Sequence, residues 1–266
     1  MKRILGFVAF ILVFVFFLVF SVATSHGSVN NQFNRIEDRL AKKLAGEVGK
    51  SEIENIFSDP RVCLQPELLK KLDAKGKGLS YFSSEFGLLN FLSLWRGRSV
   101  LKNNSDVFSG IEKRYEVEKE ALAAIFRIET NFGENTGKYR TFNALLTFSV
   151  LKNRRSEWAE KELANLLLLS FRNQLDVLGI HGSWAGAFGL CQFVPTSFLA
   201  YAVDGNGDGR ADLFVFEDAM ASAANYLRRH GWKNGDVEKK KKAIFAYNRS
   251  EEYVKAVLAY AEAVKK

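Results

Sequence analysis

The sequence predicts a mainly α-helical protein. About half of its 266 residues are apolar and 26% are charged, which is ordinary for a globular chain long enough for one large domain or two small ones. Only three prolines interrupt it, and long runs rich in Ala, Leu, Lys and Glu favour helices over a sandwich of short strands. Apolar residues also recur at helical spacing, beginning with Phe33, Ile36, Leu40 and Leu44.

The helical elements follow one another with short breaks. Ser28 to about Ala74 has the pattern of short amphipathic helices, interrupted at Ser58–Pro60, and Lys75–Gly78 predicts a loop. Two further helices are expected over Tyr81–Trp95, which is rich in aromatic residues, and Asp106–Tyr115. The sequence shows no internal repeat and no long linker after its first residues, so we expect one helical unit.

The first residues carry an export signal. Lys2–Arg3 is a positive start, Ile4–Phe20 is an unbroken apolar stretch, and Ser21–Ala23 offers the small residues that a signal peptidase recognises. Residues 1–25 are therefore a cleaved signal peptide or, since the apolar stretch counted to Ala23 is long enough to span a bilayer, an uncleaved anchor. The length favours the anchor. In both cases the rest of the chain works outside the cytoplasm.

The net charge of +8 indicates an anionic partner without naming it. Part of the excess lies in Lys239–Lys242 and Lys265–Lys266, for which a solvated basic surface is the simplest interpretation. We expect no nucleic acid as a partner, because no known binding module is present and the basic run contains no aromatic residue.

The two cysteines leave two interpretations open. Cys63 and Cys191 are an even pair in an exported chain, so a disulfide is possible, and two small buried apolar side chains explain them equally well. A metal site on them is not expected, because neither has a Cys or His neighbour at ligand spacing.

The most informative helix is predicted over Val117–Asn131. Leu122, Ile125, Phe126 and Glu129 stand at i, i+3, i+4 and i+7, which places the carboxylate on the apolar face. Burial of an ionised carboxylate costs free energy, so the pKa of this group should rise and the group should keep its proton near neutral pH. A carboxyl group with that property is what general acid catalysis needs. The alternative is a glutamate at a helix end that points out between loops.

Two later segments show patterns that allow both a structural and a binding role. Gly179–Gly189 is dense in small residues, which let backbones approach one another or a ligand closely, and a tight helix-packing turn explains them as well. Pro195 suits the first turn of a new helix. Ala243–Ala263 predicts the last helix, in which the pair Tyr247–Asn248 is also explained as core plus cap.

An EF-hand-like calcium loop is expected over Asp204–Asp212. Oxygen donors occupy positions 1, 3 and 5, and glycine occupies position 6. At position 12, where Glu is usual, Val215 stands, so Glu217 or Asp218 would have to supply the closing carboxylate. A metal-free turn rich in Asp and Asn is the alternative to a structural calcium site. The donors at positions 1, 3 and 5 are Asp204, Asn206 and Asp208.

Taken together, these segments resemble the family of membrane-bound lytic murein transglycosylase B. No single piece is sufficient, but they occur in the family's order and cover roughly Val117 to the C-terminus. The segments that carry the resemblance are Ile128–Gly133 (IETNFG), Arg154–Arg155, Gly182–Ala187 (GSWAGA), Gly189 with Gln192–Ser197 (QFVPTS), the loop at Asp204, Asn225–Tyr226 and Tyr247–Asn248.

The resemblance implies a lysozyme-like helical transglycosylase domain and a reaction. Residues 26–266 would form the domain, with a helical N-terminal part to about residue 100 and a catalytic core over about 101–266. It would cleave the β-1,4 bond between N-acetylmuramic acid and N-acetylglucosamine in peptidoglycan. Glu129 would protonate the glycosidic oxygen and then accept the proton of the muramic C6 hydroxyl, leaving a 1,6-anhydro ring. Spacing alone leaves a second carboxylate, as in hydrolases, open.

The resemblance also assigns residues and partners. We expect no cofactor in the chemistry and a structural role for calcium. The expected partner is the peptidoglycan strand in the periplasm, with contact to the inner membrane through residues 4–23 if these stay uncleaved. The implied substrate-binding residues are Arg154, Arg155, Ser183, Gln192, Tyr226, Tyr247 and Asn248, and the implied calcium ligands are Asp204, Asn206, Asp208, the carbonyl of Arg210, and Asp218.

Three departures and two alternatives accompany this resemblance. Cys191 stands where the family usually has Gly, the segment from Gly235 to Tyr247 is shorter than in the enterobacterial enzyme, and no cysteine for lipid attachment is present near the N-terminus. A muramidase of the goose-type lysozyme kind would share the fold and the glutamate. A non-catalytic glycan-binding or scaffold protein would not need Glu129.

Overall fold

A computed structural model describes residues 32–73 and 80–266 of the chain. The predicted export segment and the predicted loop at Lys75–Gly78 lie outside the described residues. The described elements are α1 (32–43), α2 (Lys50–Phe57), α3 (Glu67–Asp73), α4 (Phe91–Asn103), α5 (Ser105–Tyr115), α6 (Lys119–Thr130), β1 (Tyr139–Arg140), α7 (Thr141–Val150), α8 (Ser156–Arg172), β2 (His181–Gly182), α9 (Pro195–Tyr201), α10 (Phe216–Arg229), α11 (Val237–Tyr247) and α12 (Glu251–Lys265).

Helix α6 lies at the centre of the fold. It packs against α4, α5, α10 and α12, and every residue from Ala121 to Arg127 is buried. A helix that is buried on all sides needs apolar or small residues all round, and the Ala-rich sequence of α6 supplies them. The large core that surrounds it extends in sequence from Ile36 to Val264. The end of α6 is therefore held rigidly from several directions.

The expected pattern of the N-terminal helices is confirmed in the described residues. Ile36 and Leu40 are fully buried on α1, and Phe33 packs edge-on against Phe57 of α2. The α2 helix ends at Phe57, directly before the predicted break at Ser58. Apolar residues at helical spacing thus gave the correct buried face.

The expected helix over Tyr81–Trp95 is wrong in its first ten residues, which form turns. Gly87 adopts a φ of +59°, which glycine reaches without strain and which ends a helical path. The side chain of Asn90 accepts a hydrogen bond from the backbone N–H of Ser93 at 2.8 Å, so α4 begins at Phe91. Local cap and turn chemistry overrode the apolar pattern here.

The expected single helix over Ala243–Ala263 is also corrected, because it is two helices. The α11 helix ends at Tyr247, and Asn248 has extended backbone angles. Ser250 caps α12 by accepting a hydrogen bond from the N–H of Tyr253. By contrast, the expected helices over Asp106–Tyr115 and Val117–Asn131 are confirmed within one or two residues at each end.

A two-stranded antiparallel sheet holds the segment Gly179–Gly189, here called the Gly-rich segment, in place. Tyr139 of β1 pairs with Gly182 of β2. The backbones approach so closely that a Cβ built on Gly137, whose φ is +101°, would lie 2.0 Å from the carbonyl carbon of Gly182. Pro195 occupies the first turn of α9, as the sequence predicts. The glycines are therefore required where the two chain segments meet.

Both cysteines are free thiols, so the disulfide that the sequence left open is not formed in the described structure. Cys63 is exposed and Cys191 is buried. The alternative of two small buried apolar residues therefore holds for Cys191 alone.

Candidate active site

A cleft of about 480 Å³ opens beside the C-terminal end of α6. One wall comes from the loop after α6 and from β1, another from the Gly-rich segment, and Lys71 of α3 closes one side. The residues that line it are Lys71, Glu129, Asn135, Gly137, Lys138, Tyr139, Ser183, Trp184 and Gln192. Sequence segments that are far apart thus meet in one groove.

Glu129 lies in the last turn of α6, partly buried at the wall of this cleft. Burial raises the pKa of its carboxyl group to about 7, because the charged form loses hydration. A hydrogen bond from Tyr253 acts in the opposite direction and lowers the pKa, since it stabilises the carboxylate. The expectation that the apolar face of the helix would keep this carboxyl group protonated near neutral pH is consistent with these contacts.

Tyr253 of α12 is a site residue that the sequence reasoning missed. Its hydroxyl donates to Oε1 of Glu129 at 2.6 Å, across 124 residues of sequence. It is almost fully buried, its ring is parallel to that of Tyr247 at 6.4 Å, and Tyr81 packs edge-on against it. In the sequence Tyr253 looks like one more apolar position of a helix. The only feature that could have pointed to a site role is its position six residues after Tyr247, a predicted substrate-binding residue.

Ser183, within the Gly-rich segment, and Gln192, three residues after its end, face the cleft. The Ser183 hydroxyl accepts the backbone N–H of Ala187 at 3.1 Å, which keeps the hydroxyl proton available for a ligand. The Gln192 amide donates to the carbonyl groups of Gly189 and Thr136 at 2.9 and 3.0 Å, so its side-chain oxygen is left to accept. Gln192 has a φ of +49°, a conformation held by the surrounding turns.

Behind the cleft wall that carries Gln192 lie Tyr226 and Tyr247, and Asn248 follows Tyr247 in the chain. The Tyr247 hydroxyl donates to the carbonyl of Cys191 at 2.6 Å, directly before Gln192, and the Tyr226 hydroxyl donates to the carbonyl of Ala246 at 2.8 Å. Tyr226 is buried in an aromatic cluster, and burial raises the pKa of its hydroxyl to about 12. Tyr226 and Tyr247 therefore support the wall from the core side, and their contact with substrate stays a prediction.

Cys191 fits its position as a buried side chain. Its side chain is fully buried, and burial raises the pKa of the thiol far above its usual range. It therefore packs as a small apolar group.

Arg154 and Arg155 lie on the loop between α7 and α8, outside the cleft lining. The Arg154 guanidinium donates to the carbonyl of Leu72 at 2.9 Å, next to Lys71, and that of Arg155 lies over the ring of Trp158 at 5.6 Å. They sit on the side of the cleft that α3 forms, where contact with a longer strand stays a prediction.

The described cleft residues include one carboxylate, that of Glu129. Asp176, in the segment between α8 and β2, is exposed and forms an ion pair with Arg61 at 2.6 Å. This ion pair lowers the pKa of Asp176. Asp176 therefore belongs to the surface and not to the cleft.

The loop at Asp204 is held by hydrogen bonds from its backbone N–H groups to its own carboxylates. The N–H groups of Gly209 and Gly207 donate to Asp204 at 2.7 and 2.6 Å, and they hold the pKa of that carboxyl below its usual range. Asp218 is fully buried and accepts the N–H groups of Gly205 and Asp212 at 2.8 and 2.7 Å.

The donors of this loop suit calcium by their chemistry. The Asn206 Nδ2 amide donates to Oδ2 of Asp208 at 3.1 Å, and the side-chain oxygens of Asp204, Asn206 and Asp208 are of the kind that calcium prefers. Asp218 braces the loop through its backbone. In residues 32–73 and 80–266, no three side chains of Asp, Glu, His or Cys are gathered at metal-ligand distance. The expected ligands, which are Asp204, Asn206, Asp208, the carbonyl of Arg210 and Asp218, therefore stay a prediction.

A family model decides the classification of this chain. Residues 47–240 match the transglycosylase SLT domain. The chain belongs to this family. Among curated proteins, membrane-bound lytic murein transglycosylase B of Escherichia coli (strain K12) is 43% identical over 122 residues, which is 46% of this chain and 34% of that protein. The chain thus matches about a third of the length of that relative.

Solved structures of the same kind show the fold. Slt35 of Escherichia coli, a lytic transglycosylase in complex with calcium, superposes with a TM-score of 0.79 at 24% identity over 88% of this chain and 92% of that one. SltB1 of Pseudomonas aeruginosa gives 0.79 at 25% identity over 86% and 98%. SltB3 of the same organism, in complex with NAG-anhNAM-pentapeptide, gives 0.79 at 24% identity over 88% and 79%. The mainly α, lysozyme-like fold that the resemblance implied is confirmed.

Proposed function

We propose that this chain is a lytic transglycosylase that cleaves the β-1,4 bond between N-acetylmuramic acid and N-acetylglucosamine of peptidoglycan without consuming water. The observation that carries the proposal is Glu129, the one carboxylate among the described cleft residues, with a pKa raised to about 7. Support comes from the relatives, since the curated one is a lytic murein transglycosylase and SltB3 was solved with an anhydro-sugar peptide.

In the first step Glu129 acts as the acid. Tyr253 donates to Oε1, so the proton of the neutral carboxyl group resides on Oε2. Oε2 passes this proton to the glycosidic oxygen while the bond from that oxygen to the muramic anomeric carbon breaks. A pKa of about 7 makes the group both substantially protonated and sufficiently acidic near neutral pH.

In the second step the same carboxylate acts as the base. It accepts the proton of the muramic C6 hydroxyl, and the C6 oxygen forms a bond to the anomeric carbon. The products are a 1,6-anhydromuramic end and a free C4 hydroxyl on the neighbouring sugar. Glu129 regains its proton, so the cycle closes with no water consumed and no second carboxylate required.

The cleft offers groups that suit this substrate. The Ser183 hydroxyl and the Gln192 amide oxygen are available for hydrogen bonds to sugar hydroxyl and acetamido groups. Lys71 and Lys138 line the same groove, where they would attract the carboxylates of an anionic strand. Arg154 and Arg155 would extend this contact along the strand.

Calcium has a structural place in this proposal. Slt35 was solved in complex with calcium, and the loop at Asp204 carries oxygen donors of the right kind. The carbonyl of Arg210 would contribute to the ligands. Asp218, which also accepts hydrogen bonds from the loop backbone, would supply the closing carboxylate. No step of the cleavage passes through the ion.

The site of action proposed is the periplasm, in agreement with the predicted export segment. The curated relative is membrane-bound. Among the residues that the structure describes, no helix combines the length and the apolar character that crossing a bilayer requires. We propose that residues 4–23, if they stay uncleaved, attach the chain to the inner membrane.

Cleavage of purified sacculi in water enriched in heavy oxygen tests the reaction. The new muropeptides should carry no label and should weigh one water less than hydrolysis products. Glu129→Gln keeps the shape of the side chain and removes the transferable proton, so product formation should fall by about 10²–10⁴-fold or more. Labelled reducing ends would identify a muramidase. Absence of any released muropeptide from the wild-type chain would favour a non-catalytic glycan-binding protein.

A further inference from the structure

Two lysines meet at one aromatic ring in the cleft. Lys71, in the last turn of α3, and Lys138, directly before β1, line the cleft together with Tyr139. The Nζ atom of Lys71 lies 5.2 Å from the centroid of the Tyr139 ring, and that of Lys138 lies 5.8 Å from it. The face of an aromatic ring attracts a cation at this distance. The ring of Tyr139 thus collects two ammonium groups at one place in the cleft.

No acid neutralises these ammonium groups within the described part of the protein. Among the side chains that the structure describes, no ion pair includes Lys71 or Lys138. Glu67, one turn before Lys71 on α3, is exposed. Glu134, four residues before Lys138, is engaged by Arg96 at 2.8 Å. The two positive charges are therefore available to a ligand.

The two lysines do not act on the catalytic carboxyl group. The pKa of Glu129 is raised by burial and lowered by the hydrogen bond from Tyr253, and neither lysine is among the groups that shift it. A cation beside Glu129 would lower its pKa and so oppose the proton retention that the first step requires. The lysines therefore lie in the same cleft but away from the group that transfers the proton.

A small second core holds this end of the cleft together. Leu72 of α3 and Phe148 of α7 are buried in it, and the partly buried rings of Tyr139 and Trp184 pack against it. Trp184 meets Phe148 edge-on at 6.2 Å. The helix that carries Lys71 is thus packed against the wall that carries Tyr139, so the two lysines are brought together by the fold.

We infer that Lys71 and Lys138 bind carboxylates of the stem peptide, so that this chain cleaves strands with free peptide carboxylates in preference to strands without them. The inference rests on the proposed function, because it assumes a peptidoglycan strand in the cleft. The stem peptide branches from the lactyl group of muramic acid, whose glycosidic bond would lie at Glu129. Its carboxylates are therefore held near the bond that is cut but not at it, as the lysines are near Glu129 but not beside it.

A carboxylate suits this pair of cations better than the sugar rings do. A lysine ammonium group can donate to any hydroxyl oxygen, but only an anion also neutralises its charge. The glycan backbone is neutral, and the negative charges of the strand are on the muramic substituents. Two uncompensated positive charges in one groove produce a local potential that attracts such groups. Each exposed lysine–carboxylate pair should contribute about threefold in affinity, and both together about tenfold.

Two synthetic tetrasaccharides that differ only in charge test this role. Both alternate N-acetylglucosamine and N-acetylmuramic acid, and both carry L-alanyl-D-glutamate on each muramic acid. In one the two glutamate carboxylates are free, and in the other both are amides. The wild type should cleave the diacid with a kcat/KM about tenfold above that of the diamide, and Glu129→Gln should bind the diacid about tenfold more tightly in calorimetry. Added salt should reduce both ratios, because it screens exposed charges.

Variants of the two lysines assign the preference. Lys71→Met combined with Lys138→Met keeps aliphatic chains on the Tyr139 ring and removes both charges, so the ratios should fall to about one. Lys71→Arg combined with Lys138→Arg keeps the charges and should keep the preference. Because each ratio compares two substrates on one preparation, a partly unfolded variant does not alter it.

A matched control separates the cleft charges from the net charge of the chain. Lys42→Met combined with Lys43→Met removes two exposed charges from α1 and should keep the preference. Equal binding and equal cleavage of diacid and diamide by the wild type would overturn the inference, and so would a preference that persists without Lys71 and Lys138. Tighter binding of the diacid without cleavage of either substrate would instead contradict the proposed function and leave the carboxylate site in place.

Discussion

Replacing Glu129 by Gln should stabilise the protein at neutral and alkaline pH. The folded state holds this carboxyl group with a pKa of about 7, whereas an exposed glutamate has 4.5, because the cleft wall removes hydration from the charged form. Between these two pH values the folded state binds more protons than the unfolded state. The free energy of unfolding of the wild type therefore falls as pH rises through this window.

The magnitude follows from the two pKa values. At about 1.4 kcal/mol per pH unit, the window from 4.5 to about 7 corresponds to at most about 3.5 kcal/mol of lost stability. The side-chain amide of the Glu129→Gln variant does not titrate and can still accept the hydrogen bond of Tyr253, so the variant avoids this loss. Its unfolding free energy minus that of the wild type should increase by up to about 3 kcal/mol from pH 4.5 to pH 8.

Urea unfolding of both proteins at pH values from 4 to 8 measures this difference. Only its change with pH matters, so a constant effect of the amide itself cancels. Glu85→Gln, which alters an exposed carboxylate in the turns before α4, is the matched control for the loss of one negative charge. Parallel stability curves for Glu129→Gln and wild type over the whole range would refute the burial argument, and with it the proposed proton donor.

Two further predictions concern Tyr253 and the loop at Asp204. Tyr253→Phe removes a hydrogen bond that lowers the pKa of Glu129, so the high-pH limb of the rate profile should move to higher pH by about one pH unit. The value of kcat should also fall about tenfold, because Glu129 is no longer held in position. A high-pH limb that does not move would contradict this role of Tyr253. Calcium should raise the Tm of the wild type by mass action, and Asp208→Ala should abolish that increase while sparing cleavage at low temperature; equal Tm values in chelator and in millimolar calcium would remove the ion from the proposal.

Helical periodicity was sufficient for much of the fold and for the central acid. Glu129 could be placed on the apolar face of its helix from four residues at i, i+3, i+4 and i+7, because this arrangement depends only on neighbours within two turns. The start of α4 could not be predicted in the same way. Its apolar residues resemble a helical stripe, but Gly87 and the cap at Asn90 decide where the helix begins.

The sequence by itself determined which residues could do chemistry, and the tertiary structure decided their environment. The carboxylate, the oxygen donors at Asp204 and the Gly-rich segment are visible as local patterns. The hydrogen bond from Tyr253 to Glu129 joins positions 124 residues apart, and the close approach of Gly137 to Gly182 depends on how two chain segments meet. Glu129 loses hydration only when α12, the Gly-rich segment and α6 pack together, and this loss raises its pKa. Desolvation is produced by every neighbour in space and not by those in sequence.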